Sequence, residues 1–75
     1  MNLIDSKLPG QRQTAEDRVH AIRDRLRDAI VDRRLSPGAK LSEQEVGALF
    51  DVSRTVARSA LQMLSFEGLV RIERN

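Results

Sequence analysis

Two helix starts, Ser42 and Ser53, lie so close together in this chain that only a short helix and a tight turn fit between them. Ser42 and Glu45 have the S-x-x-E spacing of a capping box, in which side chain and backbone satisfy each other's unpaired amides. Behind them, Val46, Leu49 and Phe50 are expected to face inward and Asp51 to end the helix. Val52 and Ser53 complete the turn, and Ser53 can cap a further helix over Arg54–Glu67. In that helix Val56, Ala60, Leu61 and Leu64 form one apolar stripe. Arg54, Thr55, Arg58, Ser59 and Gln62 fall on the other side. Gly68 is placed to take the left-handed conformation that closes a helix.

An earlier helix is expected over Thr14–Arg34. Thr14 can cap it, and Glu16 and Asp17 stand in the first turn, where the helix dipole favours negative charge. Val19, Ile22, Leu26 and Ile30 give it an apolar stripe. Arg33 and Arg34 sit near its C-terminus, and Ser36-Pro37-Gly38 stops it. Ala39–Leu41 reads as a short extended link, and Leu69–Glu73 as a strand. Residues 1–13, with Pro9, Gly10 and no apolar period, read as a flexible leader to a single domain over residues 14–75. The expected fold class is mainly α: three helices and a short strand.

Composition removes whole classes of function. With no cysteine and a single histidine, His20, neither a disulfide framework nor a metal centre of soft ligands is expected. No apolar run approaches membrane-spanning length, and the N-terminus lacks the pattern of a signal peptide, so a cytoplasmic setting is expected. There is no nucleophile–base pair or carboxylate pair that would suggest an enzyme, and no cofactor is implied. The net charge is only +2, but its distribution is uneven. Residues 1–52 are neutral overall, so the whole excess lies in residues 53–75, on Arg54, Arg58, Arg71 and Arg74 against Glu67 and Glu73. Arginine outnumbers lysine 11 to 2, which favours planar recognition of phosphate or guanine.

A short capped helix, a tight turn and a longer helix with a polar outer face make a helix-turn-helix, whose second helix enters the major groove of double-stranded DNA. Arg54 and Arg58 are four apart and share a face at the groove-facing end. An arginine there can donate two bonds to guanine O6 and N7. Ser53 and Thr55, with the helix N-terminal amides, suit phosphate oxygens. On periodicity alone, a protein-interaction module with no DNA affinity stands equally open.

The runs Gly38-Ala39-Lys40-Leu41-Ser42-Glu43, Val52-Ser53-Arg54-Thr55 and Glu67-Gly68-Leu69-Val70 closely resemble the N-terminal domain of GntR-family transcription regulators. The likeness runs from about Val19 to Asn75, and the form Leu41-Ser42-Glu43-Gln44-Glu45-Val46 is similar to the FadR-like branch. The resemblance implies a winged helix-turn-helix that binds a near-palindromic operator as a homodimer. Dimerisation would run through a C-terminal effector domain outside this sequence. It implies base and phosphate contacts at Arg54 and Arg58 and backbone contacts at Ser53 and Thr55. It also implies a phosphate contact at Gln44 and a minor-groove contact from the wing tip that starts at Arg74 and Asn75. Val56 and Ser59 depart from the family's usual proline and acidic residue, and Asp51 stands where glycine is common. These departures bear on operator sequence and on the ease of the turn, not on the DNA-binding role.

Three further readings complete the chain. His20 is expected half-exposed on the first helix. Arg23, Arg25 and Arg27, alternating with Asp24 and Asp28, read as a solvated face with near-neighbour ion pairs. Met63 and Phe66 read as core or domain-contact positions.

Overall fold

A computed structural model describes residues 14–73. Their element order is α1 (Ala15–Val31), β1 (Ala39–Leu41), α2 (Glu43–Phe50), α3 (Arg54–Phe66) and β2 (Val70–Ile72). The expected leader, residues 1–13, and the wing-tip residues Arg74 and Asn75 lie outside the described residues.

Local chemistry accounts for each helix start. Thr14 and Asp17 form a reciprocal capping box at α1, and Ser42 and Glu45 form another at α2. At α3 the Ser53 hydroxyl accepts from the Val56 amide at 3.2 Å. Proline at that position could not make this bond, so the substitution that removes a pre-set φ also supplies a donor to the cap.

The helix ends are more varied. α1 stops at Val31, three residues before the expected Arg34. Its last turn closes with Arg33 at φ 65°, the Arg33 amide on Ile30 O at 3.1 Å and the Arg34 amide on Ala29 O at 2.8 Å. That is a Schellman closure with arginine in the left-handed position. α3 ends in the same way at Phe66, one residue short of expectation, with Gly68 at φ 79°. There the Gly68 and Leu69 amides bond Ser65 O and Leu64 O at 2.9 Å each. Asp51 caps α2 at φ 56°, in the left-handed conformation its position demanded.

The core is one cluster. Val19, Ile22, Leu26 and Ile30 from α1 meet Val56, Ala57, Ala60, Leu61 and Leu64 from α3, with Val46 from α2 and Val70 from β2. Leu61 and Leu64 have no exposed surface, so α3 is the central element. Ala57 belongs to its buried face as well, although the three-and-four stripe alone omits it. α2 behaves differently from expectation. Val46 and Gly47 are buried and Phe50 is half-buried, but Leu49 is 73% exposed. On so short a helix, Val46 and Phe50 are one turn apart and define the inward face, and Leu49 stands on its flank. Gly47 lets the turn close tightly: a Cβ there would meet Val52 O at 3.2 Å, while the Val52 amide bonds Gly47 O at 3.0 Å.

The extended link expected at Ala39–Leu41 is a strand in its own right. It pairs in parallel with β2, matching Ala39 with Val70, Lys40 with Arg71 and Leu41 with Ile72. Flanking bonds from the Gly38 amide to Leu69 O and from the Glu73 amide to Leu41 O, both 2.8 Å, extend the ladder. A parallel pair needs a long crossover, and here the crossover is α2 and α3 themselves. The architecture is three helices with a small two-stranded sheet, mainly helical.

Candidate nucleic-acid interface

The N-terminal end of α3 and the start of α2 form one open concavity of about 530 Å³, lined by Ser42, Glu43, Gln44, Arg54, Arg58 and Gln62, with Ile72 and Glu73 beyond. The caps explain this placement. Each cap fixes the direction in which its helix starts, and the tight turn at Asp51–Ser53 sets the first turns of α2 and α3 side by side. Because Val56, Ala57, Ala60, Leu61 and Leu64 turn inward, Arg54, Thr55, Arg58 and Gln62 are left exposed on the outer face of α3.

Of the residues expected from the sequence, Gln44, Ser53, Arg54, Thr55 and Arg58 are all exposed. The Arg54 guanidinium donates to Gln44 Oε1 at 3.4 Å, which ties the two helices together through a neutral acceptor. Ser53 spends its oxygen on the Val56 amide but keeps its own O–H as a donor.

Arg58 has a partner that periodicity did not indicate. Its Nε donates to Glu43 Oε2 at 2.8 Å and its Nη2 to Glu43 Oε1 at 3.4 Å. Arg58 holds the Glu43 carboxyl below its ordinary range, first by this hydrogen bond; burial opposes the shift, and the Arg58 charge lowers the carboxyl further. The Arg54 charge adds to the lowering. Glu45, two residues on, is turned back to the Ser42 amide at 3.2 Å. The capping pattern explains Glu45 and leaves Glu43 unassigned. The only sequence sign of Glu43's partner is an acidic residue at the first position of α2.

Elsewhere the arginines of α1 do more than line a solvated face. Arg23 pairs with Asp24 at 2.8 Å, as near-neighbour spacing suggests. It also donates to His20 Nδ1 at 2.8 Å and reaches Met63 Sδ at 3.8 Å on α3. Arg27 crosses to Glu67 at the end of α3. His20 is half-exposed as expected, with 40% of its side chain accessible. Met63 packs partly buried against the core, whereas Phe66 is 95% exposed. Lys40 and Arg71, matched in the strand register, are both exposed. Among the described residues no cluster of His, Cys, Asp or Glu could hold a metal ion, and no helix is long and apolar enough to cross a membrane.

The sequence profile of "Bacterial regulatory proteins, gntR family" matches residues 18–75. The chain belongs to the gntR family. The match takes in most of α1, the helix-turn-helix of α2 and α3, and both strands, so this is the family's helix-turn-helix domain. Among curated proteins, it is 46% identical over 48 residues to an uncharacterized HTH-type transcriptional regulator in an unstable DNA locus of Streptomyces ambofaciens. It is 44% identical over 50 residues to the Uxu operon transcriptional regulator of Escherichia coli strain K12. It is 43% identical over 49 residues to the gluconate operon transcriptional repressor of Bacillus subtilis strain 168. These alignments cover 64–65% of this chain but only 20% of each relative, so the gntR domain here spans about a fifth of the length of the curated relatives it matches. No solved structure matches the chain significantly.

Proposed function

We propose that this gntR domain binds DNA sequence-specifically for a bacterial transcription regulator, with α3 in the major groove. The observation that carries the reading is the two-sidedness of α3. One face supplies the centre of the core, and the other presents Arg54 and Arg58 at the end nearest the turn. In this reading Arg54 and Arg58 read base edges. The Ser53 and Thr55 hydroxyls and the first amides of α3 grip phosphate and set the register. Gln44 contributes a neutral contact to phosphate, and Arg74 and Asn75 supply a minor-groove contact.

The regulator as a whole is proposed to act as a homodimer on a near-palindromic operator, joined through chain beyond this domain. The FadR-like branch fits the Leu41–Val46 sequence. Likeness to regulators named for the Uxu and gluconate operons supports control of an operon, in the cytoplasm where the DNA lies.

Salt tests this directly. Each phosphate contact displaces counterions, and log affinity falls with log salt by about 0.9 per contact on duplex DNA. Titration of a labelled duplex library at low and physiological salt is expected to give a clear negative slope. Binding that is absent at both, or independent of salt, would defeat the proposal.

A further inference from the structure

We propose that Glu43 is a specificity-determining residue of this domain: it holds Arg58 as a pre-aimed fork for guanine. The inference rests on the DNA-binding reading above and deepens it.

The geometry of the guanidinium carries the argument. Its donors lie along two edges. Glu43 occupies the side edge, with Nε at 2.8 Å and Nη2 at 3.4 Å from its two oxygens. The outer edge, Nη1 with the second N–H of Nη2, keeps a parallel pair of donors. That pair is the one that matches guanine O6 and N7. The carboxylate therefore blocks no donor needed for base reading, and it fixes the plane in which those donors lie.

Glu43 is itself well fixed. It is the first residue of α2, where the helix dipole favours its charge. Its side chain is only 23% exposed, while that of Arg58 is 59% exposed. The anchored partner is thus the acid, and the presented partner is the arginine. Arg54 has no such support. Its one bond to Gln44 is long, at 3.4 Å, and neutral. A long side chain loses rotamer freedom when it grips a base, and a side chain held beforehand loses less. The two arginines consequently differ: Arg58 is oriented for a defined base, whereas Arg54 remains adaptable.

The opposite role for Glu43 is simple competition. A carboxylate that only neutralised Arg58 would have to release it before DNA could bind. The two roles differ in sign. Removal of a competitor raises affinity for every sequence alike. Removal of a positioning residue weakens discrimination at one base position.

The test uses the 75-residue chain, its Glu43→Gln and Arg58→Ala variants and the double variant. Each selects from a randomised duplex library, and the bound fraction is sequenced. The wild type is expected to enrich guanine at a position whose preference Arg58→Ala abolishes. Glu43→Gln is expected to cut that same preference by about five- to tenfold, within the range one bidentate contact supplies. It should leave the other positions unchanged, and it should add nothing in the Arg58→Ala background. A merely structural role would blur all positions together, and that result would overturn the proposal. Uniformly raised affinity with unchanged base preference would overturn it in favour of competition. If Arg58→Ala changes binding at a guanine position but Glu43→Gln does not, the DNA-binding reading stands and the proposal for Glu43 falls. If the wild type enriches no sequence, the specific-binding reading falls and takes this one with it.

Discussion

The guanidinium of Arg27 on α1 donates from a single nitrogen to both carboxylate oxygens of Glu67, 2.6 Å from each, where α3 ends. The pair joins two helices whose apolar faces already meet in the core. Both side chains are more than a third exposed, so water screens the attraction. A double-mutant cycle of Arg27→Ala and Glu67→Ala in urea is expected to give a coupling of about 0.2–1 kcal/mol, decreasing with added salt. A coupling of zero at low salt would mean that the core alone sets the angle between these helices.

Arg58→Ala is expected to weaken binding to a selected duplex by more than about 1 kcal/mol and to relax one base position. Its stability in urea should fall only slightly, by the contribution of the water-screened Glu43 contact, because the side chain is exposed on the outer face of α3. Quantitative binding against duplexes altered one base pair at a time checks both the size and the location of the effect. Uniform weakening across all duplexes would reassign Arg58 to phosphate.

Glu43 gives the domain a defined response to acid. Its carboxyl lies below its ordinary value, first because Arg58 donates to it; partial burial acts the other way, and the charges of Arg58 and Arg54 lower it further. A carboxyl whose folded value is depressed contributes stability that is fully present above its unfolded value. That contribution is lost as pH falls through the folded value. The difference in urea midpoint between wild type and Glu43→Gln should therefore be constant near neutrality and shrink on acidification. Carboxyl NMR should show Glu43 titrating below the ordinary glutamate range. A normal titration would show that the Arg58 contact does not persist in solution.

Arg33 and Gly68 occupy the same place in two Schellman closures, at φ 65° and φ 79°. Only glycine takes that conformation without steric cost. Arg33→Gly is expected to raise stability by up to about 1 kcal/mol, and Gly68→Ala to lower it by a similar amount. Thermal melts resolve this, since 1 kcal/mol corresponds to roughly 4–8 °C in a domain of this size. Asp51→Gly should gain less, because aspartate visits the left-handed region more readily than arginine.

The helices and caps could be read from the sequence because their determinants are local. Ser42 and Glu45, or Ser53 and the amide it accepts, are neighbours along the chain. Gly68 is also read correctly, because a glycine after an apolar stripe has few other uses. What the sequence hid is nonlocal. Ala39–Leu41 has too few residues to show a strand period, and its partner lies on the far side of two helices. Leu49 looked inward because a three-residue spacing from Val46 fits a stripe, yet an eight-residue helix has room for only one narrow buried face. The exposed face of α3 was largely legible, with Arg54, Thr55, Arg58 and Gln62 outward as expected and Ser59 half-buried at its margin. The Glu43–Arg58 contact was not, because it depends on how two helices meet across the turn.

The parallel pairing of Ala39–Leu41 with Val70–Ile72 has a kinetic side. Helices with local caps can form in a microsecond or so, but these strands can join only after the whole helix-turn-helix between them has folded back. The pairing should therefore come late, after the main barrier to folding. Trimming Val70, which is 2% exposed, to alanine should then speed unfolding and leave the folding rate nearly unchanged. Stopped-flow chevrons would read this as a shift of the unfolding limb alone. The sheet thus acts as a latch on the lifetime of the folded helix-turn-helix rather than as a guide to its formation.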